Sequence, residues 1–232
     1  MTKEPVLSFT DYGIFCAAGD FYLDPWRNVD RALFTHGHAD HARWGMQHYL
    51  ATHAALPVMR HRLGDISAEG IDFGEVRQIG GARVSFHPAG HVPGSAQIRV
   101  EVDGEVWVAS GDYKVVDDGL SEAFEPVRCH HFITESTFGL PVFRWADQAD
   151  VAADLNAWWT RCADEGKTAF LGAYALGKAQ RLLSMLDLQI GPILTHGAVE
   201  HTNNVLRDQG LTLPQTHLAN AELNPKDHPR AL

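Results

Sequence analysis

Ala32-Leu33-Phe34-Thr35-His36-Gly37-His38-Ala39-Asp40-His41 is the stretch on which the reading of this chain turns. An apolar run that reads as a buried strand leads straight into three imidazoles and a carboxylate. Neutral imidazole and carboxylate are the side chains that hold zinc, manganese or iron. At a strand end, this spacing aims two of the donors at one ion and two at a neighbour. A solvated, histidine-rich loop is the alternative, but two further ligand-type motifs follow and argue against it.

The first is Pro88-Ala89-Gly90-His91, which follows the apolar segment around Val84 and Phe86. Its glycine permits a sharp turn, so the histidine is delivered at the strand end. The second is Ser110-Gly111-Asp112, which closes the run Val106-Trp107-Val108-Ala109. Alone, Asp112 reads as a turn aspartate. After two histidine motifs it reads as a carboxylate that bridges two cations. The donors then divide: His36, His38 and His91 for one ion, Asp40 and His41 for the other, and Asp112 between them. Two divalent cations, zinc or manganese, would lie ~3.5–4 Å apart and lower the pKa of bound water to about 7. That supplies hydroxide without a serine or cysteine nucleophile, and neither a Gly-x-Ser-x-Gly elbow nor a P-loop competes for the role.

The bulk properties agree with a soluble enzyme. The chain has 232 residues, room for one large domain or slightly more. A net charge of −10 argues against a charge-driven coat on nucleic acid, though not against an enzyme that acts on it. Cys16, Cys129 and Cys162 are odd in number and form no Cys-x-x-Cys clamp. The start, Met1-Thr2-Lys3-Glu4-Pro5, has no signal-peptide pattern, and no apolar run is long enough to span a bilayer. A cytoplasmic location without membrane contact is expected.

Up to about residue 140 the chain reads as short strands between Gly, Pro and Asp turns: 13–16, 21–23, 32–35, 83–87, 97–102, 106–110 and 132–135. Asp103-Gly104 predicts a tight hairpin turn. Beyond Phe143 the pattern becomes alternating: helix near 151–162, strand 168–171, helix 178–186, strand 193–195, helix 198–209. Such alternation predicts a parallel α/β layer. Three regions are therefore expected: a metal-binding domain over 1–143, an α/β segment over 144–213, and a loose tail over 214–232. Lys178 and Arg181, at i and i+3, share a helix face that could touch phosphates. His48, His53, His61, His201, His217 and His228 lack ligand-type context. His130 and His131 precede a strand and read as surface residues, and His87 as a second layer behind His91. Trp158-Trp159 reads as packing rather than as a base-stacking platform.

Together, His36-x-His38-x-Asp40-His41, His91 and Asp112 resemble the signature of the metallo-β-lactamase superfamily. Thr134-Glu135-Ser136-Thr137-Phe138-Gly139 is similar to the acidic motif of its β-CASP branch. Tyr174-Ala175-Leu176-Gly177-Lys178-Ala179-Gln180-Arg181 resembles a segment of that branch's inserted cap. Leu23-Asp24-Pro25-Trp26-Arg27, the Phe-Gly-Leu-Pro run at 138–141 and the His-Gly-Ala-Val-Glu run at 196–200 narrow the likeness to bacterial ligase-associated DNA exonucleases, relatives of Artemis-type repair nucleases. The resemblance implies the first portion of an αββα sandwich followed by part of a β-CASP-like α/β cap. It implies catalytic parts for Asp40, Asp112 and Glu135, the last in the acid–base network near the leaving group. It implies a repair-linked DNA exonuclease, with a DNA ligase or helicase as possible partner.

The family also carries, after its cap, a Ser-Asp-His-Ala-Asp-like histidine and a final metal-binding histidine. Neither has a counterpart here. His196, in Leu194-Thr195-His196-Gly197, resembles the final ligand superficially but occupies the place of a cap segment. The chain is therefore expected to be C-terminally incomplete relative to the family, with one site lacking a ligand. The rival readings are an RNA-processing nuclease of the same branch, a small-molecule metallo-hydrolase, and a non-catalytic adaptor built on an incomplete nuclease fold.

Overall fold

A computed structural model describes residues 4–220 and 227–232. The chain divides into two compact units, Met1–Ser136 and Thr137–Leu232.

The first unit holds two sheets. One contains β1 (Ser8–Thr10), β2 (Gly13–Cys16), β3 (Phe21–Leu23), β4 (Arg31–Leu33), β5 (His48–Thr52) and β6 (Ala68–Ile71), in that order. Helix α1 (Leu56–Leu63) lies between β5 and β6 in the chain. The pairings of β1, β2 and β3 are antiparallel, and those from β3 through β6 are parallel. The second sheet contains β7 (Val76–Ile79), β8 (Ala82–Pro88), β9 (Ala96–Val102), β10 (Glu105–Ala109) and β11 (His131–Ile133). It is antiparallel except where β10 and β11 run side by side in parallel. The hairpin expected at Asp103-Gly104 joins β9 to β10, with both residues at positive φ.

The sheets pack face to face. Phe21, Leu23, Leu33, Leu50 and Ile71 from the first meet Val84, Phe86, Ile98 and Val100 from the second in one apolar core. The opposite face of the first sheet is covered by α1: Leu56 and Met59 pack with Ala32, Phe34, Tyr49 and Ala51. Pro57 occupies the first turn of α1, where its missing N–H breaks no helical bond. This is the α/β sandwich of the metallo-β-lactamase type, with helix, sheet and sheet as successive layers.

In the second unit, Asp147 caps α2 (Gln148–Asp164) by accepting from Ala149 N at 2.8 Å. Trp159 is fully buried with Ala169, Leu183, Leu186 and Ile193, so this indole is a packing residue. Helices α3 (Lys178–Leu183) and α4 (Gly197–Asp208) accompany a parallel pair, β12 (Leu194–Thr195) and β13 (His217–Leu218). Buried Glu200 accepts from the Thr195 and Thr216 hydroxyls, each at 2.5 Å, and pairs with Arg207 at 3.1 Å.

The structure departs from the sequence reading in several places. Residues 168–171 form no strand, because no described strand lies beside them to complete a ladder. Helix α3 ends at Leu183 rather than near 186. Strands β1, β5, β6, β7 and β13 and helix α1 are additional to the elements that the sequence predicts. The described residues after Leu213 are not loose: Thr216 is buried, β13 pairs with β12, and Leu194 N donates to Leu232 O at 2.8 Å. Of the tail expected over 214–232, residues 221–226 lie outside the described residues. No described helix is long and apolar enough to cross a membrane.

Phe86 is fully buried where the two sheets meet. Phe86→Ala should cost about 3–5 kcal/mol by urea denaturation. A loss below ~1 kcal/mol would mean that the sheets do not share this core.

Candidate metal centre

Several strands end at the cluster. Leu23 closes β3 and Asp24 follows; Leu33 closes β4 and His36 lies three residues on. β8 ends at Pro88, three residues before His91, and β10 ends at Ala109, three before Asp112. Ala109 pairs with Ile133 in the parallel register of β10 and β11, so Asp112 and Glu135 leave the same edge of the second sheet. Gly111 makes the approach of Asp112 possible. Its φ is +55°, and a Cβ there would lie 2.5 Å from the Thr35 Cβ.

The structure brings His36, His38, His91 and Asp112 together, with one donor atom from each within 4.8 Å of the others. His36 Nε2 lies 3.0 Å from His38 Nδ1, which lies 3.2 Å from His91 Nε2. Donors bound to one zinc at ~2.0–2.1 Å are about 2.8–3.4 Å apart for angles between square and tetrahedral. The nitrogens therefore stand at ligand spacing, and the donor set fits a divalent cation. Asp112 faces two ways: Oδ2 is 3.6 Å from His91 Nε2, and Oδ1 is 3.3 Å from His41 Nε2. Asp40 Oδ2 is 3.8 Å from the same His41 nitrogen. His41, Asp40 and Asp112 thus form a second, more open group beside the first.

Behind these donors lies a layer that the sequence reading did not assign. Asp24 Oδ2 bonds His41 Nδ1 at 2.7 Å and accepts from the Thr35 hydroxyl at 2.5 Å, while Oδ1 accepts from Thr35 N at 2.8 Å. The carboxylate fixes which His41 nitrogen faces Asp112. Asp24 sits at φ +40°, an unfavourable conformation held by these bonds. From α1, the Arg62 guanidinium donates to Gly37 O, the carbonyl between His36 and His38. The sequence marks Asp24 by its place directly after an apolar strand and within the Leu23-Asp24-Pro25-Trp26-Arg27 likeness, and neither gives it a role at the metal centre.

The protonation pattern follows from burial and charge. Burial, then the neighbouring His41, holds His36 well below the usual imidazole range. Burial, then His38, pushes His91 down to about 4. Burial also opposes charge on His41, but hydrogen bonds to Asp112 and Asp24 overcome it and raise its pKa to about 10. The bond from His41 in turn lowers the Asp112 carboxyl. At neutral pH, His36 and His91 therefore present lone pairs, while His41 carries a proton between two carboxylates. A cation held by His41 would have to displace that proton, so its binding would strengthen as pH rises.

Other expected residues fall elsewhere. His87 does not back His91; its ring bonds Ser85 Oγ and Glu125 Oε1, each at 3.0 Å. His130 Nδ1 accepts from Val106 N at 3.0 Å. His196 caps α4, its Nδ1 accepting from Ala198 N at 3.2 Å. Lys178 and Arg181 lie on α3 of the second unit; the Lys178 ammonium stands 5.7 Å from the Tyr174 ring centre.

No family model matches the chain. Among curated proteins, it is 29% identical over 208 residues to a "Probable DNA ligase" of Opitutus terrae, covering 88% of this chain and 20% of that protein. It is 28% identical over 180 residues to the Drosophila melanogaster "Cleavage and polyadenylation specificity factor 73", covering 74% and 26%. It is 25% identical over 213 residues to an "RNase J-like protein" of Methanocaldococcus jannaschii, covering 76% and 49%. These likenesses fit a relative of the metallo-β-lactamase/β-CASP nucleases. It spans between a fifth and a half of the length of these curated relatives. The fold also matches a crystal structure of a protein of unknown function from Enterococcus faecalis V583, at TM-score 0.53 and 13% identity, covering 89% of this chain and 56% of that one. In this chain, the histidine motif, His91 and Asp112 converge from separate strands onto one edge of the sandwich.

Asp24→Asn keeps the shape of the layer behind His41 and removes its charge. Zinc affinity, measured by competition with a chromogenic chelator, should fall roughly ten- to a hundredfold with little change in the melting midpoint. An unaltered affinity would separate Asp24 from the metal centre.

Proposed function

We propose that the chain is a metal-dependent phosphodiesterase that hydrolyses nucleic acid, and that its substrate is DNA, attacked as an exonuclease in repair. The observation that carries the reading is the Asp112 carboxylate, whose two oxygens face two different imidazoles, His41 and His91, at 3.3 and 3.6 Å. A carboxylate so placed can serve two cations at once. His36, His38 and His91 would hold one, and His41 with Asp40 the other. Bound there, the ions would supply Lewis acidity toward phosphate oxygens and a water acidified toward neutrality. The residues of the chain do the rest. Asp24 orients His41, Arg62 pins the backbone between two donors, and Glu135 stands at the edge shared with Asp112, where it can exchange a proton with the leaving oxygen. Lys178 and Arg181 are proposed phosphate contacts of the second unit.

DNA is favoured by the relative named as a DNA ligase, which aligns over 88% of this chain. By the same likeness, a ligase is the proposed partner. RNA is the second reading, favoured by the RNase J-like and endoribonuclease relatives. Metal donors do not distinguish the two, since ribose is read through its 2′-hydroxyl.

End-labelled DNA and RNA strands of one sequence, incubated with manganese or zinc and with chelator, test the proposal. The expected result is metal-dependent shortening of DNA from one end, with RNA cut more slowly. Asp112→Asn should slow it roughly a hundredfold or more, because the substitution removes the anionic oxygen pair that would hold both cations. Equal cutting with chelator, or faster cutting of RNA, would overturn the metal assignment or the DNA assignment respectively.

A further inference from the structure

Three large aromatic side chains of the first unit stand in water beside the metal-ligand loop. Trp44 is 71% exposed, Trp26 46% and Tyr12 43%. Indoles are among the most buried side chains on average, so two exposed within one small region call for a function. The backbone places them together. Trp26 N donates to Tyr12 O at 3.0 Å, and Trp26 Nε1 to Asp11 O at 2.8 Å, so both rings belong to one fixed surface. A Cβ on Gly45, next to Trp44, would lie 2.6 Å from Asn28 Oδ1, so the 26–28 and 43–45 segments are packed on each other.

Two guanidiniums alternate with the rings. Arg27 lies 5.5 Å from the Tyr12 ring centre, and exposed Arg43 reaches the Asp40 carbonyl at 3.3 Å. Among the described residues, neither forms an ion pair with a carboxylate. Together with the rings, these two cations make one surface patch in a chain of net charge −10. It is also continuous with the metal centre. Trp26 is two residues from Asp24, and Trp44 three from His41, which is at most ~10 Å of chain, or about three nucleotides stacked at ~3.4 Å.

We propose that Tyr12, Trp26, Arg27, Arg43 and Trp44 form the strand-binding rim of this centre, where unpaired bases of a single-stranded polynucleotide stack on the rings and the phosphates meet the guanidiniums. The proposal rests on the nuclease reading above and names the form of its substrate. Every base has a π-face, so the rim accepts any sequence; a duplex, with its bases already stacked on each other, offers it none until an end frays. The rim lies within the first unit and owes nothing to Lys178 or Arg181.

Fluorescence anisotropy with a short thymidine oligonucleotide tests this, using phosphorothioate linkages to resist cutting. Trp44→Ala should weaken the dissociation constant about tenfold or more, and Trp44→Phe should restore most of it. Arg43→Gln should lower the slope of log affinity against log salt by about one. Zinc content and melting midpoint should match the wild type in all three. Against an abasic strand, wild type and Trp44→Ala should bind alike, since no base is left to stack. Unchanged affinity in both Trp44→Ala and Arg43→Gln would overturn the rim and leave the nuclease reading standing. Equal loss on the abasic strand would overturn stacking. A wild type that binds no oligonucleotide would overturn both proposals.

Discussion

The carboxylate of Asp112 lies between two imidazoles of opposite character, and the site depends on that contrast. His91 is kept neutral by burial, while His41 is kept charged by Asp112 and Asp24. Without a cation, the proton on His41 is the positive charge that makes two neighbouring carboxylates tolerable in a half-buried place. A divalent ion can replace it with more charge and more directed bonds. The site is thus preorganised for positive charge, and the fold's task is to hold its donors in place.

The sandwich does this through strand ends. Parallel β3, β4 and β5 send their C-terminal loops to one edge, which is why Asp24 and the histidine loop meet across two strands. The second sheet sends His91 and Asp112 from β8 and β10. The two sets can touch only because the sheets pack through a continuous core, with Phe86 and Leu33 both inside it. Close approach is fixed locally as well: Ala96 N donates to Thr35 O at 2.7 Å, and Gly111 leaves room for the Thr35 side chain.

What the sequence made legible was local. His36, His38, His91 and Asp112 could be read because strand-end histidines and carboxylates at short spacing have few structural uses, and the structure brings those four together. The same holds for Asp103-Gly104, whose turn is dictated by two residues. Asp24 was not legible as a working residue, because a lone aspartate after Leu23 differs in nothing local from a turn residue. Its partners, Thr35 and His41, are 11 and 17 positions away. Strand β5 shows no alternation in the sequence because residues 49–52 are buried on both faces. The opposite error occurred at 168–171, where an apolar run is exposed at Phe170 and finds no ladder. Exposed Trp26 and Trp44 were invisible for the same reason: a sequence states that an indole is present, not that water surrounds it.

X-ray absorption at the metal edge of the purified, metal-loaded protein tests the central claim most directly. The account predicts a first shell of nitrogen and oxygen near 2.0–2.1 Å, with imidazole scattering from several histidines, and a second metal at about 3.5–4 Å. A shell without imidazole, a shell with sulfur, or a lone ion at full loading would contradict a two-cation centre built on Asp112.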